Sequence, residues 1–161
     1  MKIPILTLDK PNKNGRIYPR EVMKRELKRY RKTQVKERRA FVFNKLPPTS
    51  TSVNLKDVIG LVKAIHINKN KVIVEVEFHS DFYRQLVEEG KLSLRTSGMG
   101  TLIKQKDGTY KISNDYELIC CFLTDDPAWN PTKIYSPEEK NISTGNCPIP
   151  ASYPYVATSS I

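Results

Sequence analysis

The sequence predicts an α+β domain in which two helices flank a curved, barrel-like antiparallel sheet, with extended arms at both ends. Short apolar runs separated by turn-forming residues indicate the strands, and two stretches with apolar residues at helical spacing indicate the helices. A chain of 161 residues can bury one hydrophobic core but is too short for two ordinary domains. We therefore expect an N-terminal arm at 1–18, a domain at 19–136 and a C-terminal arm at 137–161.

The N-terminal third combines a turn with a helix. Residues 11–15, PNKNG, are turn formers, and Gly15 can adopt the positive φ that a tight turn requires. Pro19 suits a first helical turn, so a helix is predicted from residue 19 to about 33. A loop should follow at 36–39. The predicted core side of this helix carries Val22, Met23, Leu27 and Tyr30.

The middle of the chain has the pattern of a hairpin followed by a second helix. A short strand is predicted at 40–43 and a loop at 46–52, where Pro, Ser and Thr cluster. Strands at 58–67 and 71–79 should form a hairpin around 68–70. The second strand alternates apolar and other residues, which places Val72, Val74, Val76 and Phe78 on its buried face.

The second predicted helix begins after Ser80, a good N-cap residue, and ends at Gly90. Its apolar face should carry Phe82, Tyr83, Leu86 and Val87. Further strands are predicted at 92–96, 100–105, 109–113 and 116–123, with a tight turn at Asp107-Gly108.

The net charge of +10 is concentrated in one segment. Between Arg20 and Arg39, ten Lys or Arg residues face three Glu residues. Such a patch attracts nucleic acid, an acidic protein or anionic lipid, and charge alone does not choose between them. A basic face at three- to four-residue spacing could contact phosphates, although a solvated helix face is the commoner explanation; it consists of Arg20, Lys24, Lys28 and Arg31.

Residues 141–161 contain no charged side chain and are rich in Ser, Thr and Pro. This composition is typical either of a disordered tail or of an arm ordered by packing on a partner. We favour the arm and expect Tyr153 and Tyr155 to make its contacts.

No cofactor or metal is expected. Cys120, Cys121 and Cys147 lack metal-ligand spacing, and the adjacent pair on an apolar strand is typical of core residues. No apolar run approaches the roughly 20 residues of a membrane span, and the opening residues do not form a secretory signal, so we expect synthesis in a cytoplasm and no membrane partner.

Three blocks of the sequence together resemble the phage prohead core protease family, whose members digest scaffold during head maturation. Residues 12–22, NKNGRIYPREV, resemble the family opening NxNGRxYPxxV. Residues 82–91 with 94–100 are similar to its helix and glycine-containing strand and loop, and residues 116–127 to its closing strand. The blocks occur in the family order over about residues 3–130, and they imply a herpesvirus-protease-like barrel wrapped by helices.

The same resemblance implies that the catalytic residues are altered. The family has one His between the first helix and the hairpin, where residues 40–47 contain none, and a second His at the position that matches Gly60. At the nucleophile, Arg95 and Thr96 stand in place of two serines, and Ser97 in place of an arginine. A serine protease requires a nucleophile with a base within hydrogen-bond reach, so we expect no catalytic residues.

We therefore interpret the chain as a noncatalytic virion protein on a degenerate protease fold. It would be an auxiliary, decoration or minor capsid protein that binds the major capsid protein and neighbouring subunits, with self-association as a further option. One alternative is an active prohead maturation protease with a displaced triad built from Thr96 or Ser97 with His66. A regulator or inhibitor of the true protease is another alternative, and a nucleic-acid contact is the least favoured.

Overall fold

The computed structural model of the chain describes residues 1–47, 53–126 and 156–157. A π-helical turn, Arg31–Val35, follows the first helix, and a 3-10 turn, Leu55–Asp57, precedes β4. The strands and helices of the described residues are β1 Lys2–Thr7, β2 Arg16–Ile17, α1 Arg20–Tyr30, β3 Phe41–Phe43, β4 Val58–Asn68, β5 Lys71–Phe78, α2 Asp81–Glu88, β6 Ser93–Gly100, β7 Leu102–Lys104, β8 Tyr110–Ile112, β9 Glu117–Thr124 and β10 Val156–Ala157.

The fold is α+β, with a curled half-barrel sheet and two helices. The larger sheet has the order β1-β5-β4-β3-β9-β6-β10, and the smaller one β2-β8-β7. The curl brings β1 close to β6 without pairing the two strands. The expected antiparallel sheet is wrong in two places, because β3 pairs with β9, and β2 with β8, in parallel. These strands are distant in sequence, so no tight turn fixes their relative direction.

The segment that we expected to be an N-terminal arm is instead built into the sheet. β1 pairs with β5 along its length and forms one edge of the larger sheet. A register shift between Pro4 and Leu6 turns both Ile5 and Leu6 inward, where each is 2% exposed. The bulge conceals the alternating pattern by which a half-buried strand is recognised in sequence.

The turn predicted at 11–15 is confirmed, and Asp9, just before it, contacts the start of α1. The Asn12 side-chain oxygen accepts hydrogen bonds from the backbone N–H groups of Asn14 (2.9 Å) and Arg16 (3.0 Å), and Gly15 has φ +72°. Asp9 accepts a bond from the Arg20 backbone N–H at 3.0 Å, at the first residue of the helix. The NKNGR segment is therefore a self-bonded turn.

The two helices differ in how firmly they are packed. The predicted apolar side of α1 is buried, although the regular helix ends at Tyr30 and the π-helical turn replaces its expected last residues. α2 lies between Ser80 and Gly90 as predicted, and Gly90 has φ +74°. Its predicted apolar face is only partly correct, because Phe82 is 63% exposed and Val87 is the residue that α2 buries. Ser80 makes no side-chain capping bond.

The remaining strands follow the prediction with one difference. β4 and β5 form the expected hairpin, and Val72, Val74 and Val76 are buried in the core. β6 continues through residues 97–99, where the sequence analysis expected a break. No helix in the described part of the chain is long and apolar enough to cross a membrane.

Candidate functional site

Thr96, a candidate nucleophile, lies on the inner face of β6 and is 1% exposed. The fully buried rings of Tyr18 and Tyr116 pack edge to face beside it, with centroids 5.6 Å apart and an interplanar angle of 84°. The hydroxyls of all three residues are buried and make no hydrogen bond of ordinary geometry with any described residue. Burial raises the pKa of both phenols well above its usual range, and the nearby Thr96 hydroxyl has a smaller opposing effect on each pKa.

Gly98 makes room for this tyrosine pair. A Cβ atom on Gly98 would lie 2.4 Å from the Tyr116 hydroxyl oxygen, and one on Gly100 would lie 2.9 Å from the Tyr116 Cα atom. Both contacts are closer than side-chain carbons tolerate. Gly98 and Gly100 belong to the second of the three blocks that resemble the protease family, and Tyr116 belongs to the third. The glycines of one block thus make room for a tyrosine of the other.

Ser97 lies on the opposite, outer face of β6 and is 3% exposed. It stands directly across from Cys120 on β9. Burial raises the pKa of the Cys120 thiol to about 12, and a hydrogen bond with Ser97 opposes this shift in pKa. Phe43 and Phe122 pack with Cys120 in a small apolar cluster. The Ser97 hydroxyl is therefore directed at a neutral thiol.

An outer pocket of about 400 Å³ lies beside this apolar cluster. Met99, which is 40% exposed, and Cys120 belong to its apolar side. Arg29, Arg39 and Glu117 provide polar groups. The complete lining is Arg29, Gln34, Arg39, Phe41, Phe43, Pro47, Val53, Met99, Glu117, Leu118, Ile119 and Cys120.

His66, the candidate base, is not brought near either hydroxyl. Pairing aligns Thr96, Cys121, Val42 and Gly60 in one row across β6, β9, β3 and β4. Three strand spacings separate Thr96 from Gly60, about 14 Å along the sheet. His66 lies six residues beyond Gly60 on β4, a further distance of roughly 20 Å. A general base must lie within about 3 Å of its proton donor, and His66 is exposed to solvent.

Gly60, the position matched to the second family His, has no space for a side chain. A Cβ atom there would lie 2.6 Å from the Glu77 carbonyl oxygen on β5. The only other histidine of the sequence, His79, is exposed after β5, as the strand pattern predicts. The backbone geometry of this hairpin thus disfavours a histidine at residue 60.

The structure contains an ion pair between a buried carboxylate and a half-buried guanidinium, which the sequence did not predict. Glu26 on α1 is fully buried, and its carboxylate accepts bonds from the Arg29 Nε atom (2.9 Å) and the Leu118 backbone N–H (2.9 Å). Arg29 donates to the Leu118 carbonyl at 3.0 Å, and Arg25 to the Tyr116 carbonyl at 2.9 Å. Side chains of α1 therefore bind the backbone at the start of β9, a part of the strand that the short strand β3 does not pair with. The i,i+3 spacing of Glu26 and Arg29 was the available signal.

The predicted basic face of α1 does not form one uniform stripe of cations. Arg20 donates to the Lys69 carbonyl and Arg31 to the Ile65 carbonyl, so both attach the helical segment to the β4–β5 hairpin. Lys24 pairs with Glu21 at 3.3 Å, whereas Lys28 is exposed and has no ion pair among the described residues. Among the described residues of this segment, the exposed cations with neither an ion pair nor a side-chain hydrogen bond are Lys28, Lys32, Lys36, Arg38 and Arg39.

Tyr153 and Tyr155 lie outside the described residues, so their role stays a prediction. The part of the predicted C-terminal arm that is described is β10, which pairs with Met99 and Gly100 of β6. Cys120 and Cys121 are buried in β9, as expected of core residues, and Cys147 lies outside the described part. Among the described residues, no group of three His, Cys, Asp or Glu side chains could hold a metal ion.

The fold is similar to that of the bacteriophage T4 capsid assembly protease gp21. The structural match has a TM-score of 0.65 and 17% sequence identity, and it covers 76% of this chain and 80% of that chain. No family model matches the sequence, and no curated protein matches it. The likeness establishes a prohead-protease-like fold and, at this identity, the fold alone.

Proposed function

We propose that this chain is a noncatalytic phage capsid component that uses a protease-like fold to bind the major capsid protein. The burial of both candidate nucleophiles carries the proposal: Thr96 is 1% and Ser97 3% exposed. A peptide bond cannot reach either hydroxyl without displacing the tyrosine pair or the Cys120 cluster. His66, moreover, lies three strands away from both hydroxyls.

Similarity to a capsid assembly protease supports the phage context of the proposal. Under this proposal the chain is made in the host cytoplasm and assembles into the virion capsid, with the major capsid protein and neighbouring capsid subunits as partners. The outer surface supplies two features that suit binding. One is the pocket beside Met99, and the other is the group of exposed cations that ends at Arg39.

Particle composition tests the structural role. Proheads and mature capsids would be purified from the phage that encodes this chain, and each protein quantified by mass spectrometry. We expect the intact chain in many copies per mature capsid. Presence in proheads with depletion from mature capsids would instead identify a regulator of the maturation protease, and absence from both particles would refute the capsid role.

A cleavage assay tests the alternative of an active protease. Purified wild-type chain, Thr96→Ala and Ser97→Ala would each be incubated with the phage scaffold, and an active prohead protease would serve as the positive control. We expect no cleavage in any of the three samples. Cleavage by wild type that either substitution abolishes would establish a displaced catalytic site and overturn the proposal.

DNA binding would separate a nucleic-acid role from a protein-binding role. Contacts to phosphates lose affinity steeply as salt concentration rises. A Lys28→Glu/Lys32→Glu variant removes two exposed cations, and Lys104→Glu/Lys106→Glu is a charge-matched control elsewhere on the surface. We expect no DNA binding that depends on Lys28 and Lys32. Salt-sensitive DNA binding that is lost in Lys28→Glu/Lys32→Glu but kept in the control variant would favour a nucleic-acid partner.

A further inference from the structure

One part of the outer pocket is formed by aromatic rings. Phe41 and Phe43 of β3 both line it, with ring centroids 6.3 Å apart and an interplanar angle of 74°. Met99 of β6 lines the same pocket and is 40% exposed. Aromatic rings attract a further ring edge to face, and a methionine sulfur also makes favourable contacts with rings. The pocket therefore suits an aromatic side chain.

A turn at 36–39 brings positive charge to this pocket. Gln34 and Arg39 both line the pocket, and the Arg39 backbone N–H donates to the Gln34 carbonyl at 2.8 Å. This bond closes the turn, in which Arg38 has φ +56°. The exposed residues of the turn are Lys36, Glu37, Arg38 and Arg39. Three cations thus face one carboxylate, and the turn is positively charged.

The other charged side chains of the pocket neutralise one another. Arg29 pairs with the buried carboxylate of Glu26 and, at 3.4 Å, with Glu117. Arg39, by contrast, has no ion pair with any described residue. A group that enters the pocket therefore meets aromatic rings and an available guanidinium, which also favours contact with an aromatic face.

We propose that the outer pocket and the 36–39 turn together bind a segment of a partner protein in which acidic residues flank one aromatic side chain. The aromatic side chain packs on Phe41 and Met99, and the acidic residues lie against Arg39 and the neighbouring cations. A protein segment fits better than a small anion, because the exposed cations continue from the pocket to Lys36. This inference rests on the partner-binding role proposed above and names the chemistry of the partner segment.

The C-terminal segment of a second copy does not fit this description. Residues 141–161 contain aromatic side chains, Tyr153 and Tyr155, but no charged one. They therefore offer the pocket an aromatic ring without the negative charge that the turn attracts. The occupant is thus expected on a different protein.

Three labelled peptides test this chemistry on the full-length chain by fluorescence anisotropy. The acidic aromatic peptide has one Phe with three Asp or Glu residues on each side; the second peptide has Ala in place of Phe, and the third has Asn and Gln in place of the acidic residues. We expect saturable, salt-sensitive binding of the first and at least about 10-fold weaker binding of the other two. Equal binding of the first two peptides, or no saturable binding of the first, would overturn the proposal.

Paired substitutions locate the acidic aromatic peptide on the molecule. Arg39→Glu should weaken its binding at least about 10-fold, whereas Lys104→Glu, the same charge change at an exposed residue outside the pocket, should weaken it less than about 3-fold. Met99→Ala should weaken it about 5-fold, and Ile103→Ala, at an exposed apolar residue (48%) outside the pocket, should leave it unchanged. Urea midpoints would confirm that all four variants fold. Equal responses within each pair would show that the site lies elsewhere.

A labelled peptide of residues 150–161 tests a second copy as occupant. We expect it to bind more weakly than the acidic aromatic peptide, and tighter binding would overturn the proposal in favour of self-association. The outcome is separable from the capsid role. A chain that binds the acidic aromatic peptide but is absent from capsids would refute only that role, and a capsid-bound chain that does not bind the peptide would refute only this site.

Discussion

The two faces of β6 each bury a hydroxyl group but differ in what lies beside it. On the inner face, Thr96 is buried under Tyr18 and Tyr116, and the candidate base His66 lies far from it. On the outer face, Ser97 is also buried, across from Cys120, whereas Met99 is 40% exposed and lines the outer pocket. The residues packed over a strand, rather than the hydroxyl itself, therefore decide whether that position can do chemistry or bind a partner.

Charge separates the two regions as well. The inner region buries phenols and thiols whose pKa values are raised by desolvation, so these groups stay neutral in the folded chain. The segment that follows Lys28 instead carries exposed, charged Lys and Arg side chains. We therefore expect the inner face to govern stability and the outer face to govern binding, and the following experiments test that division.

Alkaline pH should have the largest effect on stability. The unfolded chain releases thiol and phenol protons near their ordinary pKa values, about 8.5 and 10, whereas the folded chain retains them. Above about pH 9 the folded state therefore binds more protons, and the unfolding free energy falls by about 1.4 kcal/mol per pH unit for each fully titrating group. The groups concerned are Tyr18, Tyr30, Tyr116, Cys120 and Cys121.

We expect cooperative unfolding between pH 9 and 11, measured by urea denaturation at successive pH values. Tyr116→Phe removes one of the titrating groups and should make the decline above pH 10 less steep. An unfolding free energy that stays constant up to pH 11 would mean that these groups ionise without unfolding, and the inner face would then be accessible to solvent.

Glu26→Ala should be the most damaging single substitution on the inner side. It leaves the Arg29 guanidinium and the Leu118 N–H without their buried acceptor. The buried Leu118 N–H would then be unsatisfied, and Arg29, which is 30% exposed, would lose its nearest partner; together these losses cost about 2–3 kcal/mol. Urea denaturation of Glu26→Ala and Lys28→Ala would compare a buried with an exposed residue of the same helix, and we expect the second to lie within about 0.5 kcal/mol of wild type. Similar losses of unfolding free energy in both variants would contradict the expectation that the inner face governs stability.

Gly98→Ala should destabilise the chain by about 1–3 kcal/mol, because the new Cβ overlaps the Tyr116 ring. Met99→Ala, at the adjacent outer position, is the matched control and should cost less than 1 kcal/mol, since Met99 is 40% exposed. Thermal denaturation of both variants is sufficient. A more stable Gly98→Ala chain would show that the tyrosine pair moves without cost.

Local patterns in the sequence predict most of the secondary structure. The alternation from Val72 to Phe78 gave a correct strand because that hairpin buries one face. β1 was missed as a strand because a bulge breaks its alternation, and the parallel β3–β9 pairing was missed because it joins distant segments. Register between distant strands depends on the packed core, which no local pattern encodes.

The candidate site was less predictable than the fold. The resemblance indicated altered catalytic positions, and the structure adds that a side chain at Gly60 would collide with β5. Neither the tyrosine cover over Thr96 nor the outer pocket could be inferred, because both arise from segments that are far apart in sequence, such as Tyr18 and Tyr116. The i,i+3 spacing of Glu26 and Arg29 is compatible with an ion pair, but it does not distinguish a buried Glu26 from the exposed charged residues of α1.

The smallest predicted effect is also the most direct test of the inner face. The Thr96 hydroxyl is buried without a hydrogen bond of ordinary geometry, and such a group costs roughly 1 kcal/mol or more relative to an apolar one. Thr96→Val replaces that hydroxyl by a methyl group and should raise the unfolding free energy by about 1 kcal/mol, measured by urea denaturation. A loss of similar size would mean that the hydroxyl is bonded in solution, to a phenol or to buried water. Stabilisation would identify the inner face as a packed core, because a working nucleophile is held by polar partners that valine cannot replace.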